Sequence, residues 1–313
     1  MKLRVAAAPH LVTRESTRTL MLDVLIALLP TTAAGIYLFG LRAAWVLCAS
    51  VVAAVVSEFL WQKLMKRPVR VGDLSAVVTG LILGLNLPST VPLWIPVLGS
   101  AMAIILVKEL FGGIGHNFMN PAMFARAFLL ASFPARMIVF ALPERLLGAS
   151  QALSGVDAVA SATPLVMQGN WSYMDLLLGN IPGTIGEVSK IAILIGFLYL
   201  LFVGTIPGES PGLFAGSTAL LSWIVGADPL AAVLSGGVLF GAVFMATDYA
   251  TSPVYTVGKC IYAIGCGIMV VVIRQYGNYP EGVTFAILLM NCVTPLLDRF
   301  TVRRVYGTVK KHA

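Results

Sequence analysis

Between positions 112 and 121 the chain reads Gly112-Gly113-Ile114-Gly115-His116-Asn117-Phe118-Met119-Asn120-Pro121, and these residue types suit ligand recognition. The glycines permit a tight turn and close backbone approach. The amides of Asn117 and Asn120 each carry donors and an acceptor, a pattern matched to the hydrogen-bonding edge of an isoalloxazine or quinone head. The same residues also make an ordinary interhelical turn, with Asn120 as a helix cap and Pro121 in the first turn. A second stretch, Asp157-Ala158-Val159-Ala160-Ser161-Ala162-Thr163-Pro164-Leu165, sets one threonine hydroxyl among small side chains. The Thr163 oxygen is open to a bulky substituent and Pro164 restrains the backbone beside it. By physics alone it is equally a Ser/Thr turn or helix cap.

Two carboxylates, Asp23 and Glu58, fall inside apolar runs. Buried at that depth they need partners, and they mark either an ion route or a structural hydrogen bond. Thr247, Asp248, Thr251, Ser252 and Pro253 form a polar break that is either a plain connection or a place for a cation or cofactor. Other chemistries are disfavoured. His10, His116 and His312 are far apart in sequence, against a haem or metal site built on histidine pairs, and no metal ligands are expected. Neither a Walker A motif nor a dinucleotide GxGxxG after a strand occurs, so nucleotide chemistry would belong to partners. Cys48, Cys260, Cys266 and Cys292 lie in apolar segments without CxxC spacing and read as small hydrophobes.

The elements that hold these residues must be membrane helices. Of 313 residues 58% are hydrophobic and 11% charged, and mean hydropathy is +0.90. A water-facing surface needs about 25% charged residues. Apolar blocks at about 20–40, 43–62, 74–88, 91–110, 121–140, 189–205, 212–226, 229–247, 258–274 and 281–297 predict an all-α polytopic protein with ten crossings. The net charge of +7 gathers in loops and termini and forms no groove for nucleic acid. With both termini inside, fifteen lysines and arginines fall on the inner side and five on the outer, Arg126 lying at the inner start of the fifth block. The positive-inside bias then makes both termini cytoplasmic and places the long loop 141–188 outside. The polar N-terminal stretch lacks the pattern of a removed signal peptide.

The loop divides the chain into 1–140, 141–188 and 189–313, two halves of five crossings around an extracytoplasmic segment. The halves are weakly similar: Asp73-Leu74-Ser75-Ala76-Val77-Val78 with Gly80 and Gly84 parallels Asp228-Pro229-Leu230-Ala231-Ala232-Val233 with Gly237 and Gly241. Lys108 followed by Asn120-Pro121 and Phe124-Ala125 parallels Arg274 followed by Tyr279-Pro280 and Phe285-Ala286. Halves with an odd number of crossings must be inverted, which predicts a site where they meet.

These residues, with Phe244-Met245-Ala246-Thr247-Asp248 and the stretch from Arg274 through Pro280-Glu281-Gly282 to Asn291, carry a resemblance over essentially the whole chain. The sequence resembles the RnfD family, the D subunits of Rnf electron-transport complexes, and, more distantly, the B subunits of the sodium-translocating NADH:quinone reductase (the RnfD/NqrB family). The resemblance implies FMN bound by a phosphoester to the last threonine of an Asp-x-x-Ser/Thr-x-Ala-Thr pattern. Here Asp157, Ala162 and Thr163 match it, Ala160 stands where a hydroxyl residue is common, and Ser161 follows. It further implies a urea-transporter-like fold and a second, noncovalent flavin (riboflavin or FMN) near Asn117 and Asn120. Location in the bacterial inner membrane, the A, B, C, E and G subunits of the Rnf complex as partners, a flavin transferase for maturation and coupling to Na+ or H+ movement are implied as well. The rival expectation is a urea-like channel or secondary transporter with no redox cofactor.

Overall fold

The computed structural model describes residues 16–143, 160–161, 172–277 and 282–302. The first helix, α1 (Thr17–Leu64), is 48 residues long and starts at Ser16, whose hydroxyl accepts from the Thr19 amide. Gly40 interrupts it at φ 70°, ψ −162°, so the run is two helical stretches joined at a kink. Only glycine enters that backbone region without strain.

After a short 3-10 turn at Val71–Asp73 come α2 (Ser75–Leu85) and α3 (Trp94–Met102). The last turns of α3 widen into a π-helical segment, Ala103–Glu109, with the Leu110 amide donating to the Ile105 carbonyl at 3.0 Å. α4 (Pro121–Ser132) and the single turn α5 (Pro134–Met137) follow. A two-residue strand β1 (Phe140–Ala141) then pairs antiparallel with β2 (Ala160–Ser161), Phe140 opposite Ser161. Beyond it lie α6 (Tyr173–Leu178), α7 (Lys190–Val203), α8 (Glu209–Ile224), α9 (Pro229–Leu234), α10 (Val238–Phe244), α11 (Thr256–Tyr276) and α12 (Val283–Thr301).

The expectation of ten crossings in two inverted, urea-transporter-like halves is overturned. Among the described residues only α1, α11 and α12 are both long and apolar enough to cross a membrane. The apolar blocks are real, but glycine, proline and polar residues cut them short. The third block yields the 11-residue α2, which stops at Asn86. The fifth ends at Ser132, just before Pro134. The eighth splits into α9 and α10 around Ser235–Gly237, where Gly236 takes φ 62°. Hydropathy registers such pieces as continuous segments because it is blind to backbone conformation.

One buried apolar core nevertheless runs from Ala27 on α1 to Ile287 on α12. Helices approach closely where side chains vanish. A Cβ on Gly80 would lie 2.9 Å from the Ser50 carbonyl oxygen, and one on Gly196 would strike the Ala27 carbonyl, so α2 and α7 both seat directly on α1. Large apolar side chains such as Leu29, Leu41, Trp45, Phe202, Leu296 and Phe300 remain exposed, a surface suited to lipid rather than water.

Several charged groups meet one another inside this core. Arg126 on α4 donates to Glu187 Oε1 and to Asn86 Oδ1, each at 2.7 Å. Lys190 Nζ donates to the Glu187 carbonyl and, at 2.9 Å, to the Gly236 carbonyl. A second ion pair joins Lys108 to Glu58 at 2.7 Å. Arg126, Lys108 and Lys190 are thus core residues, and two of the cations counted in the charge bias mark no membrane edge.

Candidate functional site

A cavity of about 710 Å³ opens among α1, α2, α4, α10, α12 and the turn 245–255. Its size falls in the range of small-molecule and cofactor sites, roughly 300–1,000 Å³. The turn from 112 to 120 supplies one wall, and its shape depends on glycine: Gly112, Gly113 and Gly115 sit at φ 121°, 95° and 83°. This left-handed backbone places Asn117, Phe118 and Asn120 along the cavity.

The two asparagines differ in use. Asn120 Oδ1 accepts from the Ala122 and Met123 amides at 3.0 and 3.2 Å, making it the N-cap of α4 with Pro121 at the first position. Its acceptor is therefore committed to the fold. Asn117 Oδ1 is buried with no hydrogen-bond partner. A buried amide oxygen left without a donor is costly, so a ligand N–H there would be favoured.

The polar break Thr247 to Ser252, together with Asn291 on α12, also lines the cavity. Thr251 donates to Asp248 Oδ2 at 3.1 Å and Thr294 donates to the Thr251 carbonyl at 3.0 Å, which fixes the turn against α12. Tyr262 donates to Asn291 Oδ1 at 2.6 Å, while Asn291 Nδ2 is buried without an acceptor. The cavity wall thus holds an unpartnered acceptor on one element and an unpartnered donor on another. One open acceptor and one open donor suit a polar ligand that presents an N–H and a carbonyl.

A family model described as NQR2, RnfD, RnfE matches residues 4–307. The chain belongs to this family. It is 46% identical over 318 residues to the D subunit of the Na(+)-translocating ferredoxin:NAD(+) oxidoreductase complex of Acetobacterium woodii, covering 99% of this chain and 97% of that protein. With the D subunit of the proton-translocating ferredoxin:NAD(+) oxidoreductase complex of Clostridium ljungdahlii it shares 37% identity over 97% of this chain and 96% of that protein. The D subunit of the ion-translocating oxidoreductase complex of Stutzerimonas stutzeri is 41% identical, over 94% and 93% of the two chains.

In this NQR2, RnfD, RnfE family chain the structure brings some predicted site residues together and leaves others apart. Asn117, Asn120 and the Thr247–Ser252 break meet in one cavity, although nothing in the sequence joins them. Asp157, Ala162 and Thr163 lie outside the described residues, as does much of the loop around them. Ser161 is placed only by its backbone, in the β1–β2 pair. Asp23 is half-buried and accepts from the Tyr199 hydroxyl at 3.4 Å, away from the cavity wall. Glu58 is buried against Lys108, and Lys108 in turn lines the cavity. Sequence reasoning missed Asn291, Ser75 and Lys108 as site residues. Lys108 carried a usable signal, since a lysine within an apolar block demands a buried partner.

Proposed function

We propose that this chain is the membrane D subunit of an ion-translocating ferredoxin:NAD oxidoreductase complex of the Rnf type, and that it carries electrons through flavins. The observation that supports this most is the 46% identity with a protein of that description across 99% of the chain. Its partners are then the A, B, C, E and G subunits of the Rnf complex, and a flavin transferase is needed for maturation. The relatives' descriptions name sodium in one case and protons in another, so the transported cation is Na+ or H+. The termini face the cytoplasm of a bacterial cell and the segment containing Thr163 faces the opposite side, as the distribution of basic residues favours. The channel alternative loses the inverted symmetry on which it rested.

FMN is held by a phosphoester to the Thr163 hydroxyl, with Asp157, Ser161 and Ala162 forming the recognition stretch. A second, noncovalent flavin, riboflavin or FMN, occupies the cavity, where Asn117 Oδ1 and Asn291 Nδ2 are its hydrogen-bonding partners and Asn120 holds the turn that presents Asn117. A flavin supplies one- and two-electron redox chemistry. The protein's own part is to bind, orient and shield it: the amides fix one edge, and the apolar side chains of Val24, Ile82, Ile206 and Phe244 line the remaining wall.

Peptide mass mapping of the complex from a host containing the flavin transferase tests the covalent site. The fragment with Thr163 carries an FMN adduct in wild type and none in Thr163→Ala, and in-gel flavin fluorescence is lost with it. An unmodified wild-type fragment, or fluorescence that survives the substitution, defeats the assignment.

A further inference from the structure

A continuous line of hydrogen bonds leads from the protein surface to the cavity. Asp73 is half-buried and follows the exposed segment Lys63–Arg70. Ser75 Oγ donates to Asp73 Oδ1 at 2.5 Å, and Lys108 Nζ donates to Ser75 Oγ at 2.6 Å and to Glu58 Oε1 at 2.7 Å. Ser75 and Lys108 both line the cavity. Lys108 and Glu58 are 2% and 1% exposed. The π-helical widening of Ala103–Glu109 is the local irregularity that carries Lys108, and such turns recur at functional sites.

We propose that Asp73, Ser75 and Lys108 form a proton relay that delivers protons from the surface to the cavity, with Glu58 holding Lys108 in place. The inference rests on the reading of the cavity as the site of a noncovalent flavin, a group that gains protons as it gains electrons. At rest the ammonium donates to Ser75 and Ser75 to Asp73, so the mobile proton waits on Lys108 Nζ at the cavity wall. When Lys108 gives that proton up it becomes a neutral amine. Asp73 takes up a proton from hydronium or a buffer acid on the aqueous side, the Ser75 hydroxyl turns toward the amine, and Ser75 passes its own proton to the amine as Oγ accepts the one from Asp73. The result restores the ammonium, the hydroxyl and the carboxylate, with one proton moved inward and no electron carried along the line.

The charges around the relay fit this role. Gln62 bridges Glu58 Oε1 and Glu109 Oε1 at 3.1 and 3.0 Å, Arg67 donates to the Glu109 carbonyl, and Glu58 Oε2 is buried with no partner. Glu58 thus accepts from Lys108 directly, Asp73 is joined to it through Ser75, and Glu109 through Gln62 and Glu58. Lysine is suited to the position because its ammonium can be emptied and refilled, whereas an arginine cannot be deprotonated.

The assembled complex provides the test. Asp73 also caps α2 by accepting from the Ser75 amide at 2.9 Å. Asp73→Asn keeps that capping oxygen and removes the negative charge together with the capacity to take up and pass on a proton. Two quantities are measured: noncovalent flavin released by acid extraction, and proton uptake after a reducing pulse, followed with a pH-indicator dye. The relay requires wild-type flavin content in Asp73→Asn, uptake slowed about tenfold or more, and recovery of the rate on adding azide as a small diffusible acid. Uptake at the wild-type rate overturns the relay, and so does a slow rate that azide fails to restore. Absence of extractable noncovalent flavin from the wild-type complex is a different failure, that of the cavity reading, and it removes the relay's acceptor as well.

Discussion

Asn117 and Asn120 stand three positions apart, yet the structure gives them separable consequences. Asn117→Leu removes the unpartnered acceptor in the cavity and lowers noncovalent flavin content, leaving the adduct on Thr163 in place. Asn120→Ala instead removes a helix cap, costing about 1 kcal/mol of stability and a few degrees in thermal unfolding of the detergent-solubilised protein. Flavin loss in Asn120→Asp, which retains the capping oxygen, would show that Asn120 touches the ligand after all. A third site responds to pH. Tyr173 donates to Asp228 at 2.5 Å, and this bond, with the amides of Ala231 and Leu230, holds the Asp228 carboxyl below its usual value against the opposing effect of desolvation. A depressed carboxyl stabilises above its unfolded value and loses that contribution as pH falls through the folded one. The melting difference between wild type and Tyr173→Phe therefore persists at neutral pH and fades below the ordinary carboxylate value near 3.8. A difference that stays constant across that range would assign the bond no ionic component. At this scale the sequence was informative where a residue's type restricts its use: the Asn120-Pro121 cap and the glycine turn were legible. The unpaired state of Asn117 Oδ1 was not, because hydrogen-bond accounting needs every neighbour.

Among the elements, the pairing of α4 with the segment before α7 depends on one buried ion pair. Arg126→Met leaves the Glu187 carboxylate in the core without its guanidinium and costs about 3–5 kcal/mol, while Arg126→Met with Glu187→Met recovers most of that loss. Equal instability of the single and double variants would mean that the Asn86 contact, not the ion pair, carries the junction. This junction explains in part why hydropathy overstated the number of crossings. Arg126, Glu187 and Lys190 sit near the ends of apolar blocks and look like boundary charges, but their heads are turned into the core against one another and against backbone carbonyls. Helix presence was readable from the apolar blocks, and the breaks at Gly40, Ser132 and Ser235–Gly237 were each foreshadowed by glycine or proline. Whether such a residue kinks a helix, ends it, or merely permits close packing is decided by the facing element. Gly80 and Gly196 show this, for both sit within unbroken helices.

On the scale of the whole molecule, the proposed orientation rests on the distribution of basic residues along the sequence. Cysteines introduced singly at Ser172 and Thr308 label from opposite sides of the membrane, Thr308 from the cytoplasm; labelling of both from one side reverses the placement of the Thr163 segment. The architecture itself resisted reading from the sequence, because similar glycine-rich blocks in the two halves suggest a symmetry that the broken helices do not keep. The contact between Gly196 and the Ala27 carbonyl has a further bearing, on biogenesis. α7 is synthesised long after α1, so the groove along Ala27 stays uncovered while more than half of the chain leaves the ribosome. The order of synthesis and the order of packing are opposed. A nascent chain must hold its first helix in lipid without its final neighbour until α7 has been made.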